Sequence, residues 1–180
     1  RKILVSGGGR CNFTHLDAGP SHFLSGNPHF AKSALARFTP RDFLDLVEKR
    51  IYNGKTFHNV YANQFILGGC PNGTGSGKRP DGVCIDPEFN DTLFETGTVA
   101  MALIQSDPNS ASCQFFICLS RQPAWDGQYT AFAKVEGPES LEVLKKLGNV
   151  SVDDQHRPVQ PLLIKGLSAI DMPTGTSDQK

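Results

Sequence analysis

The run Asp107-Pro108-Asn109-Ser110-Ala111-Ser112-Cys113-Gln114-Phe115-Phe116-Ile117 decides how this chain is read. A polar loop punctuated by Pro108 and Asn109 feeds into a short aromatic strand that carries one amide side chain. Two-residue alternation sets Gln114 and Phe116 on one face of that strand, a hydrogen-bonding amide beside an aromatic floor. Such a face suits a small, mostly apolar pocket for a peptide group. It suits equally a core strand with a satisfied glutamine, and the surroundings must choose between the two.

From Ile51 onward those surroundings are β-like. Short strands are expected at 56–61, 64–67, 98–102, 115–119 and 130–135, separated by Gly, Pro, Asn and Asp clusters as in a barrel or sandwich. A last strand is expected at 162–165. Two helices interrupt them. The first follows Thr39, a good N-cap, with Pro40 at the first helical position, and its stripe Phe43, Leu44 and Val47 faces a core. The second, 140–147, turns Leu141, Val143, Leu144 and Leu147 inward and stops at Gly148. The glycine-rich segment 68–86 is nearly free of apolar residues, and a loop that long is functional or wrapped over the surface.

Before residue 40 the text changes. Ile3-Leu4-Val5 is a short apolar strand running into a loop, Ser6-Gly7-Gly8-Gly9-Arg10-Cys11-Asn12, and 30–38 has helical composition and spacing. The chain opens on Arg1 and reads as a fragment or a processed chain. Eighteen basic residues balance 18 acidic ones, so charge gives no reason to expect nucleic acid or an anionic membrane as partner. No apolar run approaches the ~20 residues of a membrane-spanning helix. The five cysteines are odd in number and lack a CxxC spacing, which argues against a disulfide framework or zinc site and for a reducing cytoplasm. The five histidines show no metal-ligand spacing, so neither metal nor cofactor is expected.

Several ordered segments carry a resemblance. Phe43-Leu44-Asp45-Leu46-Val47 is followed by Tyr52-Asn53-Gly54-Lys55-Thr56-Phe57-His58, then Gly68-Gly69 and Gly73-Thr74-Gly75-Ser76-Gly77, then Val99-Ala100-Met101-Ala102. After the opening run come Trp125-Asp126-Gly127-Gln128-Tyr129-Thr130-Ala131-Phe132-Ala133-Lys134-Val135 and Arg157-Pro158-Val159-Gln160-Pro161. In this order they resemble the cyclophilins, the peptidyl-prolyl cis-trans isomerase family, and the opening run matches the bacterial form of its SQFF segment. The resemblance spans about 41–170.

It implies a mainly β fold with two or three helices, a cyclophilin-like β-barrel. The family's eight-stranded barrel begins with two strands that nothing in the first forty residues resembles. The expectation is therefore a barrel lacking its usual first two strands, with an α/β N-terminal appendage. Either 2–6 replaces one missing strand or the sheet stays open and invites a homodimer through its edges. Arg1 to Thr14, with Asn27-Pro28-His29-Phe30 and the segment 32–38, resembles instead an internal segment of BaiN-like bacterial FAD-dependent flavoproteins. That likeness fades near 46–49. The expected division is a flavoprotein-like segment 1–40, a cyclophilin-like domain 41–172 and a disordered tail 173–180, a chimera of bacterial character.

Prolyl rotation is slow because twisting destroys amide resonance, at a barrier of about 20 kcal/mol. An isomerase needs only to bind the twisted amide better than either planar form. The resemblance implies Phe116 as the floor of the proline slot, with Phe65, Met101, Leu119, Phe115 and Trp125 near it. It implies Gln114 holding the peptide backbone, Ala102 touching it through its own backbone, and Tyr129 where other members carry Tyr or His. Each aromatic could instead be barrel core.

The donor departs from the family. Its arginine after Phe-His is Asn59 here, its Phe-Met-x-Gln positions read Gln64-Phe65-Ile66-Leu67, and its tryptophan falls at Ala124 with Trp125 shifted by one. Charge-assisted hydrogen bonds are worth roughly 1.5–3 kcal/mol against about 1 for neutral ones. A loss of about 1–2 kcal/mol lowers the rate by about five- to thirtyfold, with Asn59 left as the catalytic donor; Lys78 or Arg79 is the candidate substitute. The expected function is an isomerase-like domain that binds proline-containing peptides or unfolded protein and turns over weakly. The alternatives are a non-catalytic peptide or protein interaction module, and a flavoprotein-derived hybrid. Gly7-Gly8-Gly9 fits neither GxGxxG nor a P-loop, so the hybrid has no FAD fingerprint.

Overall fold

The structure is a computed structural model and describes residues 2–6, 10–15 and 40–170, apart from 86, 88 and 105. For 2–6, 10–15, 40, 41, 169 and 170 only the backbone is described. The expected helix 30–38, the cap Thr39, the turn Gly7-Gly8-Gly9 and the tail 173–180 lie outside the described residues.

The strands are β1 Lys2–Ser6, β2 Arg10–His15, β3 Lys55–Tyr61, β4 Phe65–Gly68, β5 Thr98–Met101, β6 Phe115–Cys118, β7 Ala131–Lys134, β8 Leu162–Ile164 and β9 Leu167–Ile170. The helices are α1 Pro40–Glu48 and α2 Pro138–Gly148, with single 3-10 turns at Pro108–Ser110 and Pro123–Trp125. The strands make two sheets, in the orders β7-β5-β6-β4-β3-β8 and β2-β1-β9. Every pair is antiparallel.

The first forty residues correct the expectation drawn from them. β1 pairs with β2 on one side, Lys2 opposite His15, and with β9 on the other, Lys2 opposite Ile170. The segment 2–6 therefore takes a strand's place, as one of the two expectations held, and 10–15 supplies a second strand. One side of β9 is thereby paired, while β7 and β8 stand at the two edges of the larger sheet. The segment 10–15 looked like loop because Asn12 and the preceding glycines are poor strand formers. β9 is four residues long and went unseen for want of length.

Register across the large sheet sorts the side chains into two faces. One transverse row runs Val60, Ile66, Ile117, Val99, Ala133, all buried. The next row runs Asn59, Leu67, Phe116, Ala100, Ala131. Adjacent residues of a strand point to opposite faces, so the rows belong to different environments. The first faces the main core, which α1 closes with Phe43, Leu44, Leu46 and Val47. There Phe43 stacks on Tyr52 at 5.1 Å and meets Phe115 edge-on at 5.7 Å. The second faces a smaller aromatic cluster on the outer wall. α2 buries Leu144 but leaves Leu141 exposed, against expectation, because Leu141 stands at the lip of a groove instead of under the helix.

Candidate functional site

The outer row builds the site. Phe116 is its hub, with ring centroids 5.1 Å from Trp125, 5.2 Å from Tyr129, 6.0 Å from Phe65 and 6.0 Å from Phe94. Trp125, Tyr129 and Phe65 are half-buried around it, whereas Phe94 is fully buried and stacks on Phe116. Ala100, Ala102, Cys118 and Ala131 complete the cluster as small residues that leave the rings room. Burial raises the Tyr129 phenol above its ordinary value, so it stays protonated.

An ion-pair clamp fixes the box from outside. Arg121 makes a two-pronged bond to Asp126, with Nη1 donating to Oδ1 at 2.8 Å, and its Nε forms an ion pair with Glu95 Oε1 at 3.1 Å. Asp126 Oδ1 also accepts the Phe94 backbone N–H at 2.9 Å. The carboxylate next to Trp125 thereby ties the loop carrying Phe94 to the turn carrying Trp125. The Arg121 guanidinium holds Asp126 below the usual carboxylate range.

Gln114 stands at the rim, buried, and its Nε2 donates to the carbonyls of Gly75 at 3.0 Å and Gly77 at 2.9 Å. An amide NH2 has two donors, and both are spent on the glycine loop. The same strand entry laces that loop down at further points. Ser112 Oγ donates to Val83 O at 2.8 Å and accepts from Arg79 N at 3.0 Å, and Ile85 N donates to Ala111 O at 2.7 Å. The segment 68–86 is thus wrapped over the surface and fastened by the run that opened the sequence reading. Asp107 caps the turn before it, accepting from Asn109 N at 2.9 Å.

Asn59 lies at the end of the outer row, separated from Phe116 by Leu67. Its Nδ2 donates to Gln155 O at 2.9 Å, bracing the turn that carries His156. His156 in turn packs on Tyr61 at 4.4 Å, and Tyr61 stacks on Phe65 at 4.5 Å. The aromatic surface therefore continues past the hub.

Not every expected residue joins this group. Phe115 and Met101 are fully buried in the main core, because each is one residue out of phase with the outer row. Leu119 lies beyond β6 and lines a groove of about 470 Å³ with Leu141, Leu144 and Gly148 against α2. These three are corrected from pocket to core or groove. On the glycine loop, Lys78 Nζ is 3.5 Å from Cys84 Sγ, and Arg79 pairs with Asp81 at 2.6 Å. Phe94 and the Arg121–Asp126 clamp went unnoticed in the sequence. Phe94 sits in a loop with no periodicity, held by Asp126 at its backbone N–H and by stacking on Phe116.

An antiparallel sheet with an aromatic box on its outer wall and a glycine loop strapped beside it defines a cyclophilin-type β domain. The family model for cyclophilin-type peptidyl-prolyl cis-trans isomerases matches residues 35–169, and the chain belongs to that family. An Arabidopsis thaliana peptidyl-prolyl cis-trans isomerase is 35% identical over 134 residues, 74% of this chain and 80% of that protein. A Synechococcus elongatus peptidyl-prolyl cis-trans isomerase is 40% identical over 111 residues, 62% of this chain and 74% of that protein. The fold superposes with a TM-score of 0.74 on a Cryptosporidium parvum cyclophilin type peptidyl-prolyl cis-trans isomerase crystallised in the presence of the dipeptide Ala-Pro. That comparison has 25% identity and covers 96% of this chain and 100% of the other.

A second likeness is confined to a short stretch. An Escherichia coli ribosomal RNA dihydrouridine synthase is 71% identical over 66 residues, 37% of this chain and 16% of that protein. This is broadly consistent with the flavoprotein resemblance of the N-terminal segment.

Proposed function

We propose that the Phe116 box binds proline-containing peptides, including exposed segments of unfolded protein, and isomerises their prolyl bonds slowly. The observation that carries this is the convergence of Phe65, Phe94, Trp125 and Tyr129 on Phe116, in the row that ends at Asn59. An apolar slot of this kind takes a proline ring, and Gln114 Oε1 is the atom suited to meet a peptide N–H. Weak turnover follows from Asn59, a neutral donor already turned toward Gln155. The same hydrogen bond favours a second reading, a peptide-binding module without turnover. The free thiols Cys70, Cys84, Cys113 and Cys118 support a reducing, cytoplasmic setting.

Trp125 is the single tryptophan of the chain, so its fluorescence reports on the box directly. Titration with a proline-containing peptide is expected to shift that emission saturably, and catalytic amounts of protein to accelerate isomerisation of the same peptide. A saturable shift without acceleration selects the binding module; neither effect sinks the proposal.

A further inference from the structure

Strands β4 and β6 pair antiparallel, with Phe65 opposite Cys118 and Gly68 opposite Phe115. Cys70 and Cys113 each lie two residues past that end of the ladder, on the two chain segments that leave it. The backbones stay close there, since a Cβ on Gly69 would lie 2.7 Å from the Cys113 carbonyl oxygen. Gly69 also has φ +82, so only glycine makes this approach without strain. Both cysteines are free and buried. A disulfide between them needs Cα atoms within roughly 4.4–6.8 Å of each other.

The two thiols differ in character. Burial, with the neighbouring Cys70, pushes the Cys113 thiol up to about 11. Burial alone would raise Cys70 too, but backbone N–H groups outweigh it and hold that thiol below its ordinary value. Its Sγ accepts from Gly75 N at 3.2 Å and Gly77 N at 3.4 Å and donates to Asn72 Oδ1 at 2.8 Å. One member of the pair is set up as nucleophile and the other as a resting partner.

We propose that Cys70 and Cys113 form an oxidation site that hydrogen peroxide converts to a disulfide. The Cys70 thiolate attacks one peroxide oxygen and the O–O bond breaks. Hydroxide leaves, takes up a proton as water, and Cys70 becomes a sulfenic acid. The Cys113 sulfur then attacks the Cys70 sulfur, displacing its hydroxyl as a second water that carries off the Cys113 proton. Two thiols give up two electrons and two protons, and peroxide is reduced to two waters. The cover over Cys70 is the exposed glycine loop, whose opening admits so small an oxidant.

The bridge draws Cys70 Sγ away from the Gly75 and Gly77 amides. The carbonyls of those glycines hold Gln114, two residues from Phe116. Oxidation thereby loosens the rim of the peptide site. This consequence rests on the peptide-binding reading; the oxidation site does not.

The test uses the full reduced chain treated with hydrogen peroxide. Intact mass should fall by two hydrogens, a peptide map should join Cys70 to Cys113, and a thiol reductant should reverse both. Cys113→Ser should stop at a Cys70 sulfenic acid trapped by a 1,3-dione, and Cys84→Ser should leave the bridge unchanged. The bridged wild-type should bind proline peptide several-fold more weakly by Trp125 fluorescence. Cys70 and Cys113 both remaining free at a dose that oxidises Cys84, or a bridge made through Cys84, overturns the site. A bridge with unchanged affinity overturns the regulatory consequence. A reduced chain that binds no peptide overturns the pocket reading and leaves the bridge to stand on its map.

Discussion

Phe115 and Phe116 are neighbours in sequence, almost equally buried, and belong to different regions of the molecule. Phe115 points into the main core, edge-on to Phe43 at 5.7 Å, Tyr52 at 5.5 Å and Phe57 at 5.9 Å. Phe116 points outward into a box whose Phe65, Trp125 and Tyr129 walls are half exposed. The inner region is closed by a helix and two sheets and has nowhere to collapse. The outer one is closed by side chains that a ligand can contact. The pleat alone makes one phenylalanine a stability residue and the next a recognition residue.

The sharpest way to break this contrast is to truncate each ring. Phe115→Ala leaves a cavity among packed rings and is expected to cost about 3–5 kcal/mol. Thermal melting followed by circular dichroism should show Tm lowered by roughly 6–20 °C, at about 2–4 °C per kcal/mol for a domain of this size. A Tm within two degrees or so of wild-type would mean that Phe115 is not in the core. Phe116→Ala should cost less stability, because Trp125 and Phe65 can relax into the gap. Peptide affinity is where it should fail, by tenfold or more, about 1.4 kcal/mol. If the two variants lose stability equally and peptide binding survives, the outer box is a second core and not a site.

How much of this was legible follows the same division. Strand positions, both helices of the described residues and the core stripe of α1 were readable because period and punctuation are local. Phe116, Phe65, Trp125 and Tyr129 were found through resemblance, and the structure brings all four together. Phe115 and Met101 pair across the sheet and both face the main core, because each is one residue out of step with Phe116 and Ala100. Phe94 depends on a hydrogen bond to Asp126, 32 residues away, which no local pattern encodes. The strand over Ile3-Leu4-Val5 was legible, and β2 was missed for a different reason. β2 owes its conformation to pairing with β1, which β9 flanks on the other side, and pairing overrides the weak propensity of Arg10–His15.

A smaller effect tests the outer row at its far end. Asn59→Arg restores a cation where the row ends, and a charge-assisted bond to the twisted amide is worth about 1–2 kcal/mol more than a neutral one. kcat/KM for a proline peptide should rise by about five- to thirtyfold. The variant gives up the bond to Gln155, so some of that gain is offset by a looser 153–157 turn. Unchanged kcat/KM with unchanged peptide affinity would show that the reacting amide does not sit over Leu67 and Phe116. Loss of affinity would show instead that Asn59 matters by positioning His156 and Tyr61.

The smallest effect concerns the residue between the two regions. His58 lies at the irregularity in the β3–β4 register between Phe57 and Asn59, buried, with its Nε2 3.6 Å from where a Cβ on Gly75 would be. Burial lowers its pKa from the ordinary 6.5, the Thr56 backbone opposes this, and the Arg157 charge reinforces it. A lowered folded value means that the unfolded chain takes the proton first as pH falls. The stabilising contribution is complete above 6.5 and is lost as pH drops through 6.5 toward the folded value. Tm should therefore fall as pH drops below about 6.5, above the ordinary carboxylate values near 4. His58→Gln should flatten that fall while the other histidines keep their share. If wild-type and variant decline in parallel, His58 is not the buried neutral base between core and site, and the glycine loop is held without regard to its protonation.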